Sequence, residues 1–149
     1  MLSFKNAQQI SEVSLLDRAF HYGDGCFSTA RVRHGKIELE HLHMARLAFS
    51  CERLLLQADL KVIQKSLVLL QQQYLAVNGT LKIVISRGDG QRGYSLPDHP
   101  ADVRVFFYPK AVDDCQVEKL HSGLSPQVLG LIMLSLVGLQ SLNRFEQVL

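Results

Sequence analysis

Between Cys26 and Arg33 the chain alternates: Cys26, Ser28, Ala30 and Val32 fall on one side of an extended segment, Phe27, Thr29, Arg31 and Arg33 on the other. A period of two predicts a strand with one buried face. His34-Gly35 then supplies a turn into Lys36 to Leu39, which predicts a β-hairpin with Gly35 at a positive backbone dihedral. From Glu40 the period lengthens. Met44, Leu47, Cys51, Leu54 and Leu55 recur at spacings of three and four, as the buried stripe of a helix requires. A second helix is predicted after Asp59, a suitable N-cap, with Ile63, Leu67, Leu70 and Tyr74 on its apolar stripe and Asn78-Gly79 as its stop.

Thr80 to Ser86 reads as a largely buried strand and Val103 to Tyr108 as its partner, joined by a loop rich in Gly, Asp and Pro from Arg87 to Ala101. Strand, hairpin, two helices, strand and strand make an α+β domain, an antiparallel sheet with two helices. Pro109 marks the exit of that layer, Gln116 to His121 can begin a further strand, and Ser122-Gly123 to Ser125-Pro126 is the best candidate linker. The expected organisation is therefore residues 1–121 as an N-terminal α+β domain and 122–149 as a linker with the truncated start of a second domain. A helix expected from Ser141 reaches Leu149 without a glycine, asparagine or proline to stop it, and that uncapped end is the reason to expect truncation.

Composition narrows the classes. The chain has 149 residues, 47% of them apolar and 20% charged, enough for one ordinary core. Its net charge of +2 comes from interspersed basic and acidic residues, so no nucleic-acid partner is expected. The apolar run from Val128 to Leu139 is shorter than the roughly 20 residues of a membrane span, so no membrane partner is expected either. Cys26, Cys51 and Cys115 lack the close spacings of a zinc site or a redox dithiol, and read as buried reduced thiols. With no secretory pattern at Met1 to Asn6, the expected location is cytoplasmic.

Several segments carry candidate chemistry. Arg18-Ala19-Phe20-His21-Tyr22-Gly23-Asp24-Gly25-Cys26-Phe27 sets a Gly-Asp-Gly turn before the first clear strand. His43-Met44-Ala45-Arg46-Leu47 opens the first helix, and a guanidinium there can bind a phosphate or simply face solvent. Gly79 to Ile85 leads into Ser86-Arg87-Gly88-Asp89-Gly90-Gln91-Arg92-Gly93-Tyr94, a glycine-rich loop whose Arg87 and Arg92 offer cations to carboxylates of a ligand; a loop-stabilising ion pair is the alternative for Arg92. Lys82, in an alternating strand, reads as an exposed edge residue. Gly138-Leu139-Gln140-Ser141-Leu142-Asn143-Arg144-Phe145 lies near the end of the chain.

Together these segments resemble the aminodeoxychorismate lyases, a family of fold-type IV enzymes that use pyridoxal 5'-phosphate (PLP). The resemblance runs from about Leu16 to Leu149 and covers about half of a typical member, so it implies the N-terminal domain of such an enzyme with the second domain largely absent. It implies Arg46 as the contact to the PLP phosphate, Phe27 near the substrate pocket, and Arg92 as a contact to a substrate carboxylate. Phe27 would otherwise read as a core residue. The implied activity is conversion of 4-amino-4-deoxychorismate to 4-aminobenzoate and pyruvate in folate biosynthesis, by a homodimer. The Schiff-base lysine of the family falls at Gln140. An amide nitrogen conjugated to its carbonyl cannot attack the cofactor aldehyde or move the substrate proton, so the chain as written is expected to be inactive. The alternatives are a non-catalytic remnant acting by dimeric association and an aminotransferase of the same fold.

Overall fold

The structure is a computed structural model that describes residues 1–74, 77–110 and 141–142. Gln140, Cys115, the strand expected at 116–121 and the linker at 122–126 lie outside the described residues. In chain order the elements are β1 (Leu2–Lys5), β2 (Gln8–Gln9), α1 (Arg18–Tyr22), β3 (Gly25–Arg33), β4 (Lys36–Ile37), α2 (Glu40–Arg53), α3 (Lys61–Gln73), β5 (Gly79–Ser86) and β6 (Asp102–Pro109). The strands form one antiparallel sheet in the order β2-β1-β6-β5-β3-β4. The expected α+β architecture is what the chain adopts.

The alternation along β3 divides the molecule. Cys26, Ser28, Ala30 and Val32 are buried, and Thr29, Arg31 and Arg33 are exposed. Register carries this division across the sheet, since Ala30 pairs with Leu81 and Leu81 with Phe107. The core forms where that face meets Leu47 and Cys51 of α2 and Ile63, Leu67 and Leu70 of α3. A fully buried Leu or Ile contributes about 1.5–3 kcal/mol, so this apolar face is the main stabilising term. The opening segment Leu2–Lys5 is too short to show a period of its own. It becomes β1 because Leu2 and Phe4 join the same core across β6, with Phe4 opposite Val105.

Turns and caps set the boundaries. His34 and Gly35 both take positive φ, 48° and 73°, the two-residue hairpin turn that matches strand twist. The strand that follows ends at Ile37 rather than at Leu39, which is left-handed (φ 51°) and starts α2. The N-cap of α3 is Leu60, without a side-chain capping bond, rather than the expected Asp59, which stands one residue earlier and accepts from Lys61 N at 3.0 Å. That helix ends at Gln73 rather than at Asn78-Gly79, and Gly79 is the first residue of β5. Tyr74, just past it, rests edge-on against Phe107 with centroids 5.5 Å apart. The stripe of α2 also stops early. Leu54 packs partly on the core, but Leu55, at φ 54°, is 75% exposed, because the reversal there breaks the helical phase and turns Leu56 inward instead.

Among the described residues no helix is long and apolar enough to cross a membrane.

Candidate functional site

The Gly-Asp-Gly turn is built around a carboxylate. Asp17 caps α1, its Oδ1 accepting from Ala19 N at 2.8 Å, and Gly23 closes the other end in a left-handed conformation. The turn then delivers Asp24, whose Oδ2 accepts from Arg18 Nε and Arg87 Nε, each at 2.8 Å. Burial pushes the Asp24 carboxyl up, but hydrogen bonds and charge from Arg87 and Arg18 outweigh it and hold the group below the usual carboxylate range. Arg87 also donates to Leu55 O at 3.0 Å and Leu54 O at 2.7 Å, satisfying carbonyls past the end of α2.

Arg87 is thus committed to the fold. The expectation that it offers a cation to substrate carboxylates is corrected: its Nε, Nη1 and Nη2 each have an internal acceptor. Arg18 is likewise buried, donating to Asp24 and to Gly93 O, with its guanidinium 4.6 Å from the Tyr22 ring centroid. A second buried network lies beside it. Arg104 pairs with Asp17 and Asp102, and Ser86 Oγ donates to Asp17 Oδ2 at 3.0 Å.

Arg46 stands differently. It projects from α2 toward the helix-facing side of β3, where its Nη2 donates to Ser28 Oγ at 2.6 Å and lies 3.2 Å from His43 Nδ1. Ser28 Oγ and His43 Nδ1 are 2.8 Å apart. Burial and the positive charge of Arg46 lower the His43 pKa, favouring the neutral ring. Among the described residues the Nε of Arg46, like that of Arg104, is buried with no hydrogen-bond partner. A fixed guanidinium with an unused buried donor suits an anionic oxygen, so the residues present fit a phosphate group.

Phe27 is half-buried on the opposite side of β3 from Ser28 and Arg46, as adjacent strand residues must be. Lys82 Nζ stands 5.6 Å from its ring centroid. Lys82 is exposed, as its alternating pattern predicts, but β5 lies between β6 and β3, so it belongs to an open sheet face and not to an edge. Arg92 is exposed on the loop after β5, lining an open depression with Leu16, Asp89, Gly90 and Gln91. Among the described residues it has no ion-pair partner.

Ser141, the chain neighbour of Gln140, bridges to Cys26, and Leu142 N donates to Gly25 O at 3.0 Å. The tail therefore meets β3 two positions before Ser28. Cys26 and Cys51 are free and buried, and the hydrogen bond to Cys51, followed by burial, pushes the Cys26 thiol up, so it is held protonated. Sequence reasoning missed Ser28 and gave His43 no role. The signal was there: His43 and Arg46 are three apart on one helix face, and Ser28 lies on the inward phase of β3.

The fold is an antiparallel sheet backed by two helices, with Arg46 of α2 reaching β3 at Ser28, and residues 25–149 match the family described as Amino-transferase class IV. The chain belongs to that PLP-dependent family. It is 32% identical over 145 residues to an aminodeoxychorismate lyase of Vibrio harveyi, covering 93% of this chain and 52% of that protein. It is 29% identical over 121 residues to a D-alanine aminotransferase of Staphylococcus epidermidis, covering 78% of this chain and 42% of that one. Among solved structures, 4-amino-4-deoxychorismate lyase from Pseudomonas aeruginosa superposes with a TM-score of 0.66 at 31% identity, over 74% of this chain and 40% of that one. A PLP-bound hypothetical aminotransferase from Mycobacterium tuberculosis shares the fold, with a TM-score of 0.59 at 24% identity over 73% and 39% of the two chains. The chain spans about half the length of the curated relatives it matches.

Proposed function

We propose that this chain carries the cofactor-phosphate anchor and part of the substrate pocket of a PLP-dependent lyase that converts 4-amino-4-deoxychorismate to 4-aminobenzoate and pyruvate. The observation that carries the reading is Arg46, held through Nη2 and left with a buried, unpaired Nε. Arg46 binds the phosphate. Phe27, on the other face of β3, lies against the substrate ring, and Arg92 contacts a substrate carboxylate, reaching the pocket of a second copy in a homodimer. PLP, when bound, supplies the electron sink for carbon-bond chemistry. The residue that should hold and move the substrate proton is Gln140, whose amide nitrogen has no basic lone pair, so this chain does not turn over by itself.

The lyase branch is favoured by the Arg87 to Tyr94 loop and by the Vibrio harveyi relative. A class IV aminotransferase is the second reading, favoured by the similarity to D-alanine aminotransferases. The test is borohydride trapping of PLP followed by mass mapping. The chain as written should retain no covalent cofactor and Gln140→Lys should retain it at residue 140; retention elsewhere in the unaltered chain would sink the assignment of that position. In the Gln140→Lys chain, 4-aminobenzoate formation supports the lyase, and amino transfer to a 2-oxo acid supports the second reading. Sedimentation velocity at micromolar concentration tests the homodimer.

A further inference from the structure

The contacts of Arg46 have an order that the heavy-atom positions dictate. Arginine only donates. His43 Nδ1, 3.2 Å from Arg46 Nη2, is therefore an acceptor, and the ring proton sits on Nε2. Ser28 Oγ accepts from the same Nη2 at 2.6 Å and lies 2.8 Å from His43 Nδ1, whose single lone pair is then shared between the Ser28 hydroxyl and Arg46. Ser28 is fully buried and sits on a strand paired along its length with β5, so the acceptor it offers is rigid. Two fixed acceptors on one guanidinium nitrogen set both the position and the plane of the group. What remains is Nε, a buried donor with no partner among the described residues. Leaving such a donor unpaired costs about 1–3 kcal/mol, which an anionic acceptor from outside would recover.

We infer that Ser28 and His43 are positioning residues that hold the Arg46 guanidinium so that its Nε–H meets the phosphate monoester of the cofactor. This rests on the reading of Arg46 as the phosphate anchor. Neither residue needs to touch the phosphate. Ser28 acts by its hydroxyl oxygen and His43 by the lone pair on Nδ1, and both effects pass through Arg46. A guanidinium free to rotate would still carry charge but would lose the aligned donor.

The experiment compares affinities for PLP and for pyridoxal, which lacks the phosphate, by fluorescence titration of the full chain. Ser28→Ala and His43→Phe should each reduce the preference for PLP by about tenfold, the scale of one lost hydrogen bond to a charged group. Pyridoxal affinity should not change. Ser28→Thr, which keeps the hydroxyl, and His43→Asn, whose Oδ1 replaces Nδ1, should retain the preference. If Arg46→Ala loses the preference while Ser28→Ala and His43→Phe keep it, the anchor stands and the positioning role is overturned. If Arg46→Ala also keeps it, the anchor falls and the inference with it. A readout that needs no variant is the ¹⁵N spectrum of the histidine rings: His43 should be neutral with its proton on Nε2, and a proton on Nδ1 would overturn the hydrogen-bond order.

Discussion

Arg87 meets Asp24 across 63 residues of chain, Nε to Oδ2 at 2.8 Å. The contact joins the Gly-Asp-Gly turn before β3 to the glycine-rich loop after β5, and through Arg87 it reaches the end of α2 as well. Two segments that read as candidate chemistry are here the joint that holds one end of the sheet together.

Asp24→Ala should therefore destabilise the fold by about 2–4 kcal/mol, because it strands two largely buried guanidiniums. Asp24→Asn keeps an acceptor and should cost less. Urea unfolding followed by circular dichroism measures both. Equal stabilities for Ala and wild type would show that the joint is dispensable.

The same carboxylate makes stability depend on acid. Its folded pKa lies below its ordinary value of 3.8, so the unfolded chain binds the proton more readily. The contribution is present above pH 3.8 and is lost as pH falls through the lower, folded value. Asp24→Ala should flatten the unfolding midpoint in that window.

His43 produces a second dependence at milder pH. Its folded pKa is below 6.5, so its contribution is full above pH 6.5 and declines as pH falls toward the folded value. His99 shifts the other way, so the comparison must be between proteins differing at one site. His43→Asn should lower the slope of stability against pH below 6.5, as followed by thermal melts from pH 6.5 downward.

The hairpin turn holds a histidine where asparagine or glycine is preferred, with His34 at φ 48° and exposed. His34→Asn should raise stability by about 0.5–1 kcal/mol. Gly35→Ala should lower it, since a Cβ would meet Gln71 Nε2 at 2.6 Å from a left-handed backbone. Denaturation midpoints of the two variants should move in opposite directions.

Gly25 marks where the tail docks. A Cβ there would lie 2.3 Å from Ile85 O and 2.8 Å from Leu142 Cδ1. Gly25→Ala should cost about 2–4 kcal/mol, as overpacking against backbone does, and should speed exchange of the Leu142 amide that bonds to Gly25 O. Hydrogen exchange read by NMR checks the second effect.

How much could be read from the sequence depended on whether a feature was local. The inward and outward sides of β3 follow from a period of two, and Leu47, Cys51, Ile63, Leu67 and Leu70 from helical spacing, because burial of one face repeats at the period of the backbone itself. The helix ends were harder. Leu55 fits the apolar stripe of α2 by spacing, yet is exposed because the chain reverses at that residue.

The sequence by itself determined the α+β class, the division of the sheet into a helix-covered and an open face, and the family, since these depend on side chains placed at regular intervals and on short motifs. Only the tertiary structure decided which arginine is fully engaged by internal acceptors and which keeps, among the described residues, a donor nitrogen without one. Arg87 and Arg46 have the same chemistry. Strand pairing brings Asp24 to Arg87, while Arg46 faces Ser28 and His43 and keeps Nε unused. A guanidinium's role depends on which acceptors reach it, and those arrive from residues distant in sequence, through sheet order and register that no local pattern encodes.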